Sequence, residues 1–149
     1  MSKALPLAAL LISSLAGCGE SSRSPQVSVE HAWVRLPAVK GRPAAGYFTL
    51  HANRRPMHLI SVSSPQVRRI ELHDSSMEGN KMRMEMLTNQ PFERDDMRFE
   101  PGGKHAMLFD VDRKLKPGDK IALTFTFDPA PPVTVAADVV AAGDEEPGR

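Results

Sequence analysis

From residue 25 onward, prolines at 25, 37, 43, 56, 65, 91, 101, 117, 129, 131 and 132 cut the chain into short segments. Most of these alternate apolar and polar residues with the period of two that a half-buried strand requires. The clearest runs from Ile121 to Phe127, placing Ile121, Leu123, Phe125 and Phe127 on one face. Val133, Val135, Ala137 and Val139 repeat the pattern in the next segment. Further strands are predicted over 26–35, 45–52, 58–63, 67–73, 81–87, 97–100 and 106–111, about nine in all. The 81–87 segment is rich in helix-favouring residues, but its shortness and its flanking turns (Glu78-Gly79-Asn80 and 89–91) favour a strand. Leu115-Lys116-Pro117-Gly118-Asp119 has turn chemistry. Many short strands with frequent turns predict an all-β domain, a sandwich or small barrel.

The start of the chain breaks this pattern. Lys3 precedes an apolar run from Leu5 to Leu15. That run is well short of the roughly 20 residues a membrane-spanning helix needs, and it suits the hydrophobic region of an export signal. It ends in Leu15-Ala16-Gly17-Cys18, which resembles a bacterial lipobox. The expectation is a lipoprotein signal peptide over 1–17, with Cys18 lipidated as the first mature residue. The alternative is a soluble secreted protein with a cysteine at its cleavage site. Residues 18–25 then form a flexible tether, 26–140 the folded domain and 141–149 a disordered acidic tail. Gly19 is not the aspartate of an inner-membrane retention signal, so outer-membrane anchoring is favoured, with the domain facing the periplasm.

Composition narrows the function. Lysine and arginine number 19 against 18 aspartates and glutamates, a net charge of +1. Nucleic-acid binding is thereby disfavoured, because it needs a basic surface to displace counterions. A single cysteine excludes an internal disulfide and a cysteine-cage zinc site, whereas methionines number eight. No nucleophile–base pair, phosphate loop or acid pair with an evident role suggests an enzyme.

Two segments concentrate soft-metal ligands: 73–86, with His73, Met77, Met82, Met84 and Met86, and 101–107, with His105 and Met107. In a strand, His105 and Met107 project to the same face. A hairpin closed near Glu78-Gly79-Asn80 would bring Met84 back beside His73. Two imidazoles and two thioethers could then converge, a neutral set suited to cuprous copper rather than to hard cations. Taken alone, the alternating methionines are also what a plastic core strand would carry. His31, His51 and His58 show no ligand spacing and read as structural. Arg54-Arg55 and Arg68-Arg69 read as solvated, or as docking points for an acidic partner.

These residues carry a resemblance. His73, ten residues, then Met84, followed after twenty residues by His105-Ala106-Met107 behind Pro101-Gly102-Gly103, resembles the signature of the periplasmic copper chaperone family called PCuAC. The gap from Met84 to His105 is one residue shorter than is usual there, which leaves Met82 and Met86 as auxiliary or alternative ligands beside Met84. Met77 is a third auxiliary. Ala32-Trp33-Val34-Arg35, 44–50 and 115–119 extend the resemblance over 28–139. It implies a cupredoxin-like Greek-key β-sandwich or barrel of eight or nine strands. It further implies one Cu(I) per chain held by His73, Met84, His105 and Met107, and delivery by ligand exchange between copper donor and acceptor proteins, toward the binuclear copper site of cytochrome c oxidase. Competing readings are a metal-free envelope lipoprotein serving as an interaction module, and a copper storage or tolerance protein. A blue-copper electron carrier would need a thiolate, and Cys18 is assigned to lipid.

Overall fold

The computed structural model describes residues 26–53, 55–93 and 96–148. The expected signal peptide over 1–17, Cys18 and the expected tether over 18–25 lie outside the described residues. Ten strands and no helix are found among the described residues: β1 (Val27–Arg35), β2 (Ala44–Ala52), β3 (Met57–Ser63), β4 (Val67–Glu78), β5 (Lys81–Leu87), β6 (Gln90–Phe92), β7 (Met97–Phe99), β8 (Lys104–Val111), β9 (Lys120–Asp128) and β10 (Val133–Val140). They form one sheet in the order β5-β4-β8-β2-β1-β10-β9-β3-β6, with β7 paired to β2. Neighbours run antiparallel except β1 and β10.

The sheet does not close, yet it curls until β3 packs beside β4, far from it in hydrogen-bonding order. Inside the curl lies the core predicted by the alternation. Ile121, Leu123, Phe125 and Phe127 of β9 are all buried there. Phe48 stacks on Phe99 at 4.3 Å and meets the edge of Phe125 at 4.7 Å. Burying each such ring contributes about 1.5–3 kcal/mol.

Three features depart from simple alternation. The first is β4, which continues five residues past His73 to Glu78 and makes a projecting hairpin with β5. Its extra residues, Asp74 to Glu78, have no core-facing apolar member, so periodicity could not reveal them. The partner strand's ladder, the Asp74–Lys104 ion pair at 3.1 Å and the Ser75 amide donating to Gly103 O at 3.2 Å hold them extended. The hairpin closes through Gly79 and Asn80, with Gly79 at φ +63°, the glycine-first pattern of a type II′ turn.

The second is β6, which raises the count above the eight or nine expected. Its Pro91 marks a turn in sequence, but proline is tolerated on an edge strand, and β6 lies at the open edge beside β3. The third is a bulge in β1 between Glu30 and Trp33, with His31 at φ +50°. The extra residue reverses which face the strand's later residues occupy. Val34 joins the main core, whereas Trp33 turns outward onto Tyr47 at 4.4 Å. Arg35 covers both rings, 5.0 and 5.6 Å from their centroids. Over the same face, residues 141–148 make a turn with Asp144 N donating to Ala141 O, and Glu146 lies 3.4 Å from His31.

Candidate metal centre

The face of β5-β4-β8 turned away from the core gathers the chemistry. Leu72 of β4 and Ala106 and Leu108 of β8 point inward and are buried. Pleating therefore sends His73, Glu71 and Ser75 outward from β4, and His105, Met107 and Phe109 outward from β8. Register completes the picture: His73 pairs with His105, and Glu71 with Met107. The two imidazoles stand 6.1 Å apart, centroid to centroid, with their planes 24° from parallel. Met107 is also paired with Ala45 of β2, a small neighbour that leaves it room.

Each ring is oriented through one nitrogen. The His73 Nε2–H donates to Glu71 Oε2 at 3.1 Å, because a carboxylate can only accept. His73 Nδ1 is then a buried lone pair with no protein partner. A buried polar atom without a partner costs about 1–3 kcal/mol, so such an atom points to a ligand. The His105 Nδ1–H donates to Gly103 O at 2.9 Å, leaving the Nε2 lone pair free. One oriented nitrogen and one bare nitrogen is the usual arrangement of a metal-ligating imidazole. Glu71 is held in turn by Arg69 Nε at 3.1 Å, whose guanidinium lies 4.2 Å above Phe109. Sequence reasoning overlooked Glu71, although its position two residues before His73 places it on the same face.

The thioethers of β5 share this face. Met86 is directly opposite His73, Met84 opposite Ser75 and Met82 opposite Met77. The hairpin forms where the turn residues predicted it, but its register sets Met86, not Met84, beside His73. Met84 is the diagonal neighbour, separated from the histidine pair by the small Ser75. Among the described residues, no three His, Cys, Asp or Glu side chains are placed to hold a metal ion together. The side chains that flank the histidine pair on this face include the thioethers of Met107 and Met86. Lys81, Arg83 and Glu85 alternate onto the opposite face of β5, with Arg83 3.1 Å from Glu78.

Two of the remaining histidines are engaged elsewhere. His51 lies between Asp96 and Glu30, 3.3 Å from the latter, and His31 faces Glu146. His58 Nδ1 is buried without a partner on β3. Arg55 and Arg68 are exposed, Arg69 serves Glu71, and Arg54 lies outside the described residues.

Among solved structures, the chain is similar to a copper-bound PCuAC domain from PmoF2, with a TM-score of 0.63 and 26% identity over 78% of this chain and 93% of that one. It is likewise similar to an apo PCuAC domain from PmoF1, at 0.62 and 25%, over 78% and 94%. Apo-DR1885 from Deinococcus radiodurans shares the fold, at 0.61 and 21% over 97% and 100%. The first two of these neighbours are PCuAC domains. Over 89 residues the chain is 32% identical to the protein RP573 of Rickettsia prowazekii (strain Madrid E), covering 57% of this chain and 49% of the relative. The chain thus matches about half the length of that curated relative. Residues 27–139, most of the chain and all ten strands but the last residue of β10, match the family described as "Putative lipoprotein LpqE-like". On that match, and with a cupredoxin-like fold of the PCuAC type, the chain belongs to the LpqE-like family.

Proposed function

We propose that this chain is an extracytoplasmic Cu(I) metallochaperone, binding one copper per chain through His73, His105, Met107 and a β5 thioether. The observation that carries this reading is the paired imidazoles, each with one nitrogen tethered and one bare, on a face otherwise supplied with thioethers. Copper in the PmoF2 domain supports the choice of metal. Neutral nitrogen and thioether donors suit Cu(I) and leave its charge unneutralised, which favours passing the ion on over burying it.

Met84 is the ligand that the motif spacing favours, and Met86 is the one that the strand register favours. Half-exposed sulfurs at the sheet edge give a partner protein access, so delivery proceeds by ligand exchange. The resemblance to periplasmic copper chaperones supports the binuclear copper site of cytochrome c oxidase as the destination. An export signal over 1–17 and a lipid on Cys18 would hold the domain at the envelope facing the periplasm, with the outer membrane favoured.

Anaerobic titration with Cu(I) against a chromogenic chelator tests the site. One tight equivalent is expected, weakened by more than about tenfold in His105→Ala, since even supporting residues around a metal account for that much. Of Met84→Leu and Met86→Leu, the larger loss identifies the β5 ligand. Wild-type affinity in His105→Ala would refute the site. Copper that remains on the protein when an apo oxidase copper domain is added would refute delivery.

A further inference from the structure

The β4–β5 hairpin carries more thioethers than one copper site uses. Met77 and Met82 are a direct cross-strand pair, and Met84 is the next outward residue along β5. Met77 is 65% exposed, Met82 72% and Met84 50%. Methionines that fill cores are buried; these stand in water, where they gain nothing from packing. Directly opposed residues have Cβ atoms about 4.5–5.5 Å apart and diagonal ones about 7–8 Å, and methionine's flexible side chain spans either gap. Three sulfurs can therefore meet on one ion. The charged residues of β5 face the other way, and Arg83 is paired with Glu78, so no cation of β5 is directed onto this face.

We propose that Met77, Met82 and Met84 form a second, thioether-only Cu(I) site at the hairpin tip, from which copper passes to the histidine pair. This rests on the histidine reading above. In the transfer, bonds from copper to the Met77 and Met82 sulfurs break as bonds to His73 Nδ1 and His105 Nε2 form, while Met84, which lies between the two positions, holds the ion during the exchange. Both nitrogens already carry free lone pairs, so no proton leaves, and copper remains Cu(I). Ser75, between the two sites on β4, presents no bulk to obstruct the move.

The test is anaerobic addition of Cu(I) alone to the full chain labelled with carbon-13 at the methionine methyls. In wild type, a second and weaker equivalent should shift the methyls of Met77 and Met82. In His73→Ala/His105→Ala the tight equivalent should vanish while the weaker one remains and shifts the methyls of Met77, Met82 and Met84. Adding Met77→Leu/Met82→Leu should abolish the weaker one. In the wild-type background, Met77→Leu/Met82→Leu should keep the tight equivalent and lose only the second, a result that stands whether or not the histidine variant folds. Unshifted Met77 and Met82 methyls at two equivalents, or a second equivalent surviving Met77→Leu/Met82→Leu, would overturn the proposal. A tight equivalent indifferent to the histidine substitutions would instead overturn the histidine reading.

Discussion

At the scale of single residues, Glu71 orients one of the two imidazoles of the proposed centre, that of His73. Its carboxylate fixes which His73 nitrogen bears hydrogen, and so which one is bare. Glu71→Ala should weaken Cu(I) binding about tenfold, whereas Glu71→Gln, which still offers an oxygen acceptor, should lose much less. Chelator competition measures both, and equal affinity in Glu71→Ala and wild type would rule out this positioning role. Tyr47 gives a second residue-scale expectation. Burial raises its phenol above the ordinary 10.0, with Arg35 pulling the other way. The neutral phenol is therefore favoured in the fold. Its contribution to stability is complete below pH 10.0 and is lost as pH rises through the raised folded value. Ultraviolet titration of this sole tyrosine should show a midpoint above that of the unfolded chain. The common face of His105 and Met107 was legible in sequence because residues two apart in a strand point the same way, whereas the pairing of His73 with His105 depends on register. Glu71 was not legible, since a glutamate in an alternating strand resembles any solvent-facing one until its neighbour's ring is placed.

At the scale of elements, the projecting hairpin decides which sulfur meets which histidine. Gly79 turns it at φ +63°, a region that β-branched residues avoid. Gly79→Val should cost about 1–3 kcal/mol and disturb the β5 register. Thermal melting and copper titration together would detect both effects. Gly46 of β2 has a different task. A Cβ there would come within 3.0 Å of Leu108 Cδ1 and 3.3 Å of Ala106 Cβ, pressing on the strand that bears His105 and Met107. Gly46→Ala should destabilise the fold by about 1–3 kcal/mol, and a variant melting with wild type would show that β8 yields freely. The sequence located the hairpin through its Glu78-Gly79-Asn80 turn. It could not give the register, because Met82, Met84 and Met86 all lie on one face and present the same pattern to a partner strand. The far half of β4 has no apolar alternation, and the β1 bulge is a single extra residue without a compositional mark.

At the scale of the whole molecule, one curled sheet separates stability from chemistry. Its inner face packs Phe48, Phe99 and Phe125, and its outer face holds the histidine pair. Phe125→Ala should therefore cost about 3–5 kcal/mol while leaving the copper affinity of the folded protein near wild type. The all-β class was readable because strand alternation is a local property. The strand order was not, since the parallel β1–β10 pairing joins segments distant in sequence, and β3 and β4, consecutive in sequence, lie far apart in hydrogen-bonding order. The central claim is that paired imidazoles and thioethers together bind Cu(I), and X-ray absorption at the copper edge of the protein loaded with one equivalent tests it most directly. The expected spectrum is that of cuprous copper with a mixed shell of imidazole nitrogen and thioether sulfur, losing its nitrogen contribution in His73→Ala/His105→Ala. A shell of sulfur alone in the wild-type protein at one equivalent would contradict it.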